Sequence, residues 1–242
     1  MFRKKTLRLY CFSPPVMMAT FIIEVSFAAY VLWRYQLTTL SRLIVAILGC
    51  LAVFQGTEFL LCGGSASQTG VWARLGYASI TLLPPLGIHL IYRIANQPIT
   101  AITKGCYVLA AVFIAYYTFG MHELSSHMCY ANYAAFSVSP TSMIFFSLYY
   151  YGLLFFGITL ALRWAAKVSK KQKTALLALA LGYTSFILPT AVVNSIDPST
   201  LAGIPSIMCG FAVILAFLLV RKVAPAVLSE KPAAVPKLRF PF

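Results

Sequence analysis

From Ser13 to Trp33 the chain runs without a charge except Glu24. A hydrocarbon slab of ~30 Å takes about 20 apolar residues to cross as a helix, and this run is that long. Six more runs of the kind follow: Leu43–Cys62, Trp72–Tyr92, Cys106–Gly120, Ser142–Leu162, Thr174–Val193 and Leu201–Val220. Backbone N–H and C=O groups find no water in lipid, so each run must satisfy its own groups as a helix. Composition agrees: 60% of the 242 residues are hydrophobic and 10% are charged, where a soluble domain carries about 25% charged residues. The expected fold is an all-α integral membrane protein, a seven-helix bundle over residues 13–222. Residues 1–12 form a basic N-terminal segment. Residues 223–242, rich in Pro and Lys, read as a disordered tail. The opening "MFRKK" looks like the basic start of a signal peptide, but the run behind it is too long and no A-x-A site stands out, so the first helix is expected to stay.

Lys and Arg set the expected orientation. With the N-terminus outside, 14 of the 19 basic residues fall on the inner side and 5 on the outer. Five of the inner ones crowd the loop "RWAAKVSKKQK": Arg163, Lys167, Lys170, Lys171 and Lys173. Translocating such a loop is hard, so the positive-inside rule places the N-terminus out and the C-terminus in the cytoplasm. The net charge of +14 then points to anionic lipid headgroups rather than nucleic acid. The expected location is a cell inner membrane, crossed several times.

Ionisable groups inside a span are costly and are candidates for function. Glu24 sits near mid-membrane in the first run. It reads either as a neutral acid bonded to a neighbouring hydroxyl or as a proton-linked group. Glu58 ends the second run and Arg74 starts the third, across a short link. A structural Glu58–Arg74 pair, clamping two antiparallel helices, is the first reading. The second is a ligand site built from Gln55, Glu58, Arg74, Tyr77 and Asn194, since Gln55 lies one turn from Glu58 on the same face. His89 reads as a hydrogen-bonded core histidine. His122, Glu123, His127 and Cys129 make only a loose metal pattern, and no metal site is expected.

Cys62 and Cys129 fall on the outer side in this orientation, where a disulfide is permitted and would pin the fourth loop over the bundle mouth. Tyr116, Tyr117, Tyr149, Tyr150 and Tyr151 either pack against lipid and protein or line a pocket. Pro84, Pro85, Pro189 and Pro205 mark bends. Ala178 and Gly182 give a small-xxx-small face for close helix packing. P-loop, G-x-S-x-G and H-E-x-x-H motifs are missing, and the last run has no lysine for a retinal Schiff base. No catalytic residue is expected, and the chain is read as a non-enzyme.

One stretch carries a family pattern: Glu58 near the end of the second run, then Trp72, Ala73, Arg74, Leu75 and Tyr77, then the break Leu83, Pro84 and Pro85. Over about 40 residues it resembles the N-terminal seven-helix sensor region of certain bacterial histidine kinases. Two departures stand out. No kinase follows the seventh run, and His89 stands where the family is usually apolar. The resemblance implies an N-out sensory bundle; it does not imply kinase activity, and it names no ligand. The resulting expectation is a receptor-like sensor, binding a small molecule or lipid in an outer-half cavity among helices two, three, five, six and seven, and signalling through a partner protein. An accessory subunit of a larger complex, holding lipid or pigment, and a proton-coupled transporter are the alternatives. Partners are membrane lipids and another protein, with homo- or hetero-oligomers open.

Overall fold

A computed structural model describes residues 14–63, 69–120, 127–129, 134–136, 139–196 and 203–231. Its helices are α1 (Pro14–Arg34), α2 (Thr39–Gly63), α3 (Thr69–Ile94), α4 (Ala101–Gly120), α5 (Pro140–Ala165), α6 (Lys170–Ile196) and α7 (Ile204–Val227). Among the described residues, seven helices are long and apolar enough to cross a membrane. The chain is therefore a multi-pass helical membrane protein. Between α4 and α5, β1 (His127–Cys129) pairs antiparallel with β2 (Ala134–Phe136), His127 opposite Phe136.

Every apolar run becomes a helix, and most helices outrun their apolar stretch because polar residues extend them past the lipid edge. α6 shows how such an end is held. Ser169 and Gln172 form a capping box: the Gln172 amide oxygen accepts from the Ser169 N–H at 3.2 Å, and the Ser169 hydroxyl accepts from the Gln172 N–H at 3.5 Å. Gln172 Nε2 then donates to the Ile94 carbonyl at 2.6 Å, tying the start of α6 to the end of α3. α5 begins in the same spirit, with Ser139 as its N-cap and a proline in its first turn.

The helices close a ring. α1 packs on α2, α2 on α3, α3 on α4 and α5, α5 on α6 and α6 on α7, which returns to α1 and α2. α3 is the mast: 72% of its apolar stretch is buried, against 22% in α1 and in α4. Small residues set the closest approaches. A Cβ on Gly182 of α6 would lie 2.5 Å from Leu215 Cδ1 on α7, so the small-residue face is used inside this bundle. A Cβ on Gly87 of α3 would collide with the Tyr183 hydroxyl of α6.

The prolines act through the carbonyls they release. Pro85 has no N–H, so the Thr81 carbonyl one turn earlier loses its helical donor. The Tyr149 hydroxyl on α5 supplies one at 2.6 Å, in a buried setting. The proline turn of α3 is thus stitched to α5. Elsewhere, α4 ends in a π turn over Tyr116–Gly120, and α7 contains another over Leu219–Val223.

The tail needs correction. The chain past Val223 continues helical to Val227 and is then held as far as Lys231. Val223 and Ala224 are fully buried and Leu228 nearly so, and that burial offsets the entropy of ordering. A strap follows. Gln36 N–H donates to the Ser229 carbonyl at 2.9 Å, Lys231 N–H to the Arg34 carbonyl at 3.0 Å, and Lys231 Nζ to the Leu32 carbonyl at 2.7 Å. Arg34 and Glu230 add an exposed ion pair at 2.8 Å. Residues 1–13 and 232–242 lie outside the described residues.

Candidate functional site

Two polar features interrupt the apolar core, on adjoining faces of α7.

The first is a carboxyl cluster between α1, α2 and α7. Glu24 is 0% exposed, Glu58 1% and Gln55 2%. The register of α1 on α2 brings them together: a Cβ on Gly56 would touch the Phe21 ring at 3.3 Å. In this antiparallel pair, one turn further along α1 sits beside one turn earlier in α2, so Glu24 lies at the level of Ala52 and Val53, about one turn from Gln55. Glu24 also lies within electrostatic range of Glu58. From α7, Ser206 donates a hydrogen bond to Glu58, and Cys209 lies within range of both acids. Four polar atoms here have no partner: both Glu24 carboxyl oxygens, Glu58 Oε1 and Gln55 Nε2. Buried polar atoms almost always find a partner, so these four are the groups through which the cluster would contact a bound species.

The second feature is an aromatic cavity of ≈ 30 Å³ between α3, α4, α5 and α7, walled by Tyr77, Tyr117, Phe146, Tyr150, Pro205 and Met208 among others. The Tyr77 and Tyr117 rings lie 4.9 Å apart, and Tyr117 meets Phe146 edge-on at 5.4 Å. Such offset and edge contacts are the favourable ring geometries. Tyr117 is 1% exposed and its hydroxyl has no partner. Next to it the Tyr116 hydroxyl shares a hydrogen bond with Ser142 at 2.7 Å, pinning the π turn of α4 to the start of α5.

The expected Glu58–Arg74 clamp is not formed. The α2 face toward α3 is that of Phe54 and Thr57, which meet Gly76. Glu58 is one residue, about 100° of helix, further round, and so turns to α7 and Ser206. Arg74 is half-buried, its Nε has no partner, and among the described residues the ion pair within 4 Å is Arg34–Glu230. The five expected ligand residues also divide. Gln55 and Glu58 join the carboxyl cluster, Tyr77 lines the aromatic cavity, Arg74 stands apart from both, and Asn194 is half-buried in the last turn of α6. The cavity takes α4 as a wall in place of α2 and α6.

His89 Nδ1 hydrogen-bonds the Tyr107 hydroxyl at 3.1 Å, as a core histidine would. Among the described residues no group of three His, Cys, Asp or Glu side chains could hold a metal. His122 and Glu123 lie outside the described residues, as do the side chains of His127 and Cys129. Cys62 is disulfide-bonded; its pairing with Cys129 falls outside the described side chains. Sequence reasoning missed Ser206 and Cys209. Their signal was the i, i+3 spacing of two polar side chains on one face of the last apolar run.

No protein-family model matches the chain, and no curated protein matches its sequence at a significant level.

Proposed function

We propose that this chain is a receptor-like, non-enzymatic sensor of a bacterial inner membrane, with its N-terminus outside. Its ligand is a small aromatic or apolar molecule, or part of a lipid, taken up in the aromatic cavity. The observation that carries the reading is the buried, unpartnered Tyr117 hydroxyl in a wall of aromatic rings. A ligand pocket is typically mostly apolar with a few placed polar groups, and here a phenol waits for an acceptor. The cavity lies toward the end of the bundle that holds the α2–α3, α4–α5 and α6–α7 connections, which is the outer end in the orientation favoured by the basic loops.

Its size bears on mechanism. A volume of ≈ 30 Å³ holds about one water molecule, whereas a drug-sized ligand needs about 300 Å³ or more. Binding therefore requires α4, α5 and α7 to part. The π turn of α4 and Pro205 in the first turn of α7 are the weak points at which they would do so. A ligand that binds only the opened form shifts the balance toward it, and α7 carries the change to the inner face and a partner protein. The likeness of Glu58–Pro85 to the kinase-linked sensor regions supports the same reading.

The test is purification in mild detergent from the native host, with mass spectrometry of every bound small molecule and protein. A bound apolar or aromatic compound that raises thermal stability, and loses affinity in Tyr117→Phe, is the expected result. A stoichiometric complex with partner subunits and no small molecule would favour the accessory-subunit reading instead. That reading draws on the exposed Phe119, Phe145 and Leu148 along α4 and α5.

A further inference from the structure

We propose that Glu24 and Glu58, with Gln55 and Ser206, form a site inside the membrane that binds and releases a small cation, either a proton or a sodium ion.

Charge comes first. Two buried carboxyl groups lie within electrostatic range of each other, and the ion pair found among the described residues involves neither. The groups facing them are Glu24 from α1, Glu58 from α2 and Cys209 from α7. Behind Cys209 stand Tyr150 of α5 and Tyr183 of α6, both neutral phenols. Arg74, the nearest cation along α3, makes no ion pair with Glu58. Two like charges buried within range of each other without a counter-charge are not stable, so the pair must hold protons, or a proton and a metal ion.

Oxygen chemistry selects the ion. The unpartnered oxygens are Glu24 Oε1 and Oε2 and Glu58 Oε1, and the neutral oxygen-bearing groups of the cluster are the Gln55 amide and the Ser206 hydroxyl, which is bonded to Glu58. This is a hard, all-oxygen set with two acidic members. Sulfur- and imidazole-seeking metals want other ligands, and among the described residues no three His, Cys, Asp or Glu side chains, Cys209 included, come close enough to hold such an ion. A proton shared between carboxyls, or a sodium ion held by one charged and several neutral oxygens, fits the set. Gln55 serves either case. Its orphan Nε2 can donate to a carboxylate, and the turned amide presents its oxygen to a cation.

The site is connected. Glu58 holds Ser206, and the flanking Pro205 and Met208 wall the aromatic cavity. Filling or emptying the cation site therefore acts on the same turn of α7. This coupling rests on the sensor reading; the site itself does not.

The experiment is infrared difference spectroscopy of the full chain in lipid nanodiscs. It steps pH from mildly acidic to mildly alkaline, with sodium chloride or choline chloride as the salt. The expected result is a carboxylic-acid C=O band that grows on acidification and is lost in Glu24→Gln and in Glu58→Gln. If sodium at fixed pH also erases the band, the ion is sodium; if only pH does, it is a proton. Ser206→Ala should shift the band without abolishing it, which covers the case in which a Gln variant fails to fold. A wild-type spectrum with no such band, or with one indifferent to both pH and sodium, overturns the proposal. No organic ligand enters the measurement, so failure of the sensor reading would leave its outcome untouched.

Discussion

Replacing Tyr149 by Phe removes one oxygen atom and, by the structure, one specific service. Pro85 leaves the Thr81 carbonyl without a helical donor, and the Tyr149 hydroxyl fills the vacancy at 2.6 Å. Tyr149 is 5% exposed, so water does not replace it. An unsatisfied buried carbonyl costs about 1–3 kcal/mol, and Tyr149→Phe should cost that much. The ring packing on Phe113, at 4.7 Å between centroids, is kept. The decisive step is to repeat the substitution in a Pro85→Ala background. Alanine at that position restores an N–H aimed at the Thr81 carbonyl, so the cost of Tyr149→Phe should fall by about 1 kcal/mol or more, a coupling typical of contacting groups. Reversible unfolding in mixed detergent micelles, by titration with a denaturing surfactant, measures all four proteins. An equal cost in both backgrounds would refute the reasoning, because the hydroxyl would then do nothing for the carbonyl that the proline frees.

Other expectations are simpler to check. Gly87→Ala should destabilise by about 1–3 kcal/mol, although alanine is the better helix former, because its Cβ would meet the Tyr183 hydroxyl. Tyr183→Phe should recover part of that loss in the same unfolding assay. Glu230→Ala should change stability by less than about 1 kcal/mol, since an exposed ion pair contributes little and the backbone bonds of the strap remain. Cys62 should resist alkylation until a reductant is added, as read by mass spectrometry of untreated membranes. Reduction should then lower the melting temperature, with a stability loss of about 2–4 kcal/mol.

The number of helices and their rough limits were legible because lipid imposes one demand on every segment, and hydropathy alone reports it. The freed carbonyls were legible for the same kind of reason: Pro84, Pro85 and Pro189 lie inside helices and act through a missing donor that any sequence displays. What satisfies them was not. Nothing in the order of residues announces that Tyr149, sixty-eight positions away, serves Thr81. Glu58 shows the limit most clearly. Its nearness to Arg74 along the chain suggested a pair, yet helix phase turned it to Ser206. Sequence proximity across a short link fixes depth in the membrane, while rotation about the axis decides the partner, and rotation depends on contacts such as Gly56 with Phe21 and Gly76 with Thr57. The tail erred the other way. Proline and lysine suggested disorder from residue 223, but Val223, Ala224 and Leu228 were enough to seat its first part.

The strap has a consequence for traffic through the bilayer. α1 and α7 meet along a seam, with Phe27 and Phe217 in ring contact at 6.5 Å. At the basic end of the bundle that seam is riveted by the bonds from Lys231 and Gln36 to the opposite backbone. A lipid tail sliding sideways between α1 and α7 would have to shear those bonds one after another. The carboxyl cluster lies just behind this seam, so the rivet also guards it: an ion or greasy molecule that reaches Glu24 must come from the other end, or wait for Ser229, Glu230 and Lys231 to let go.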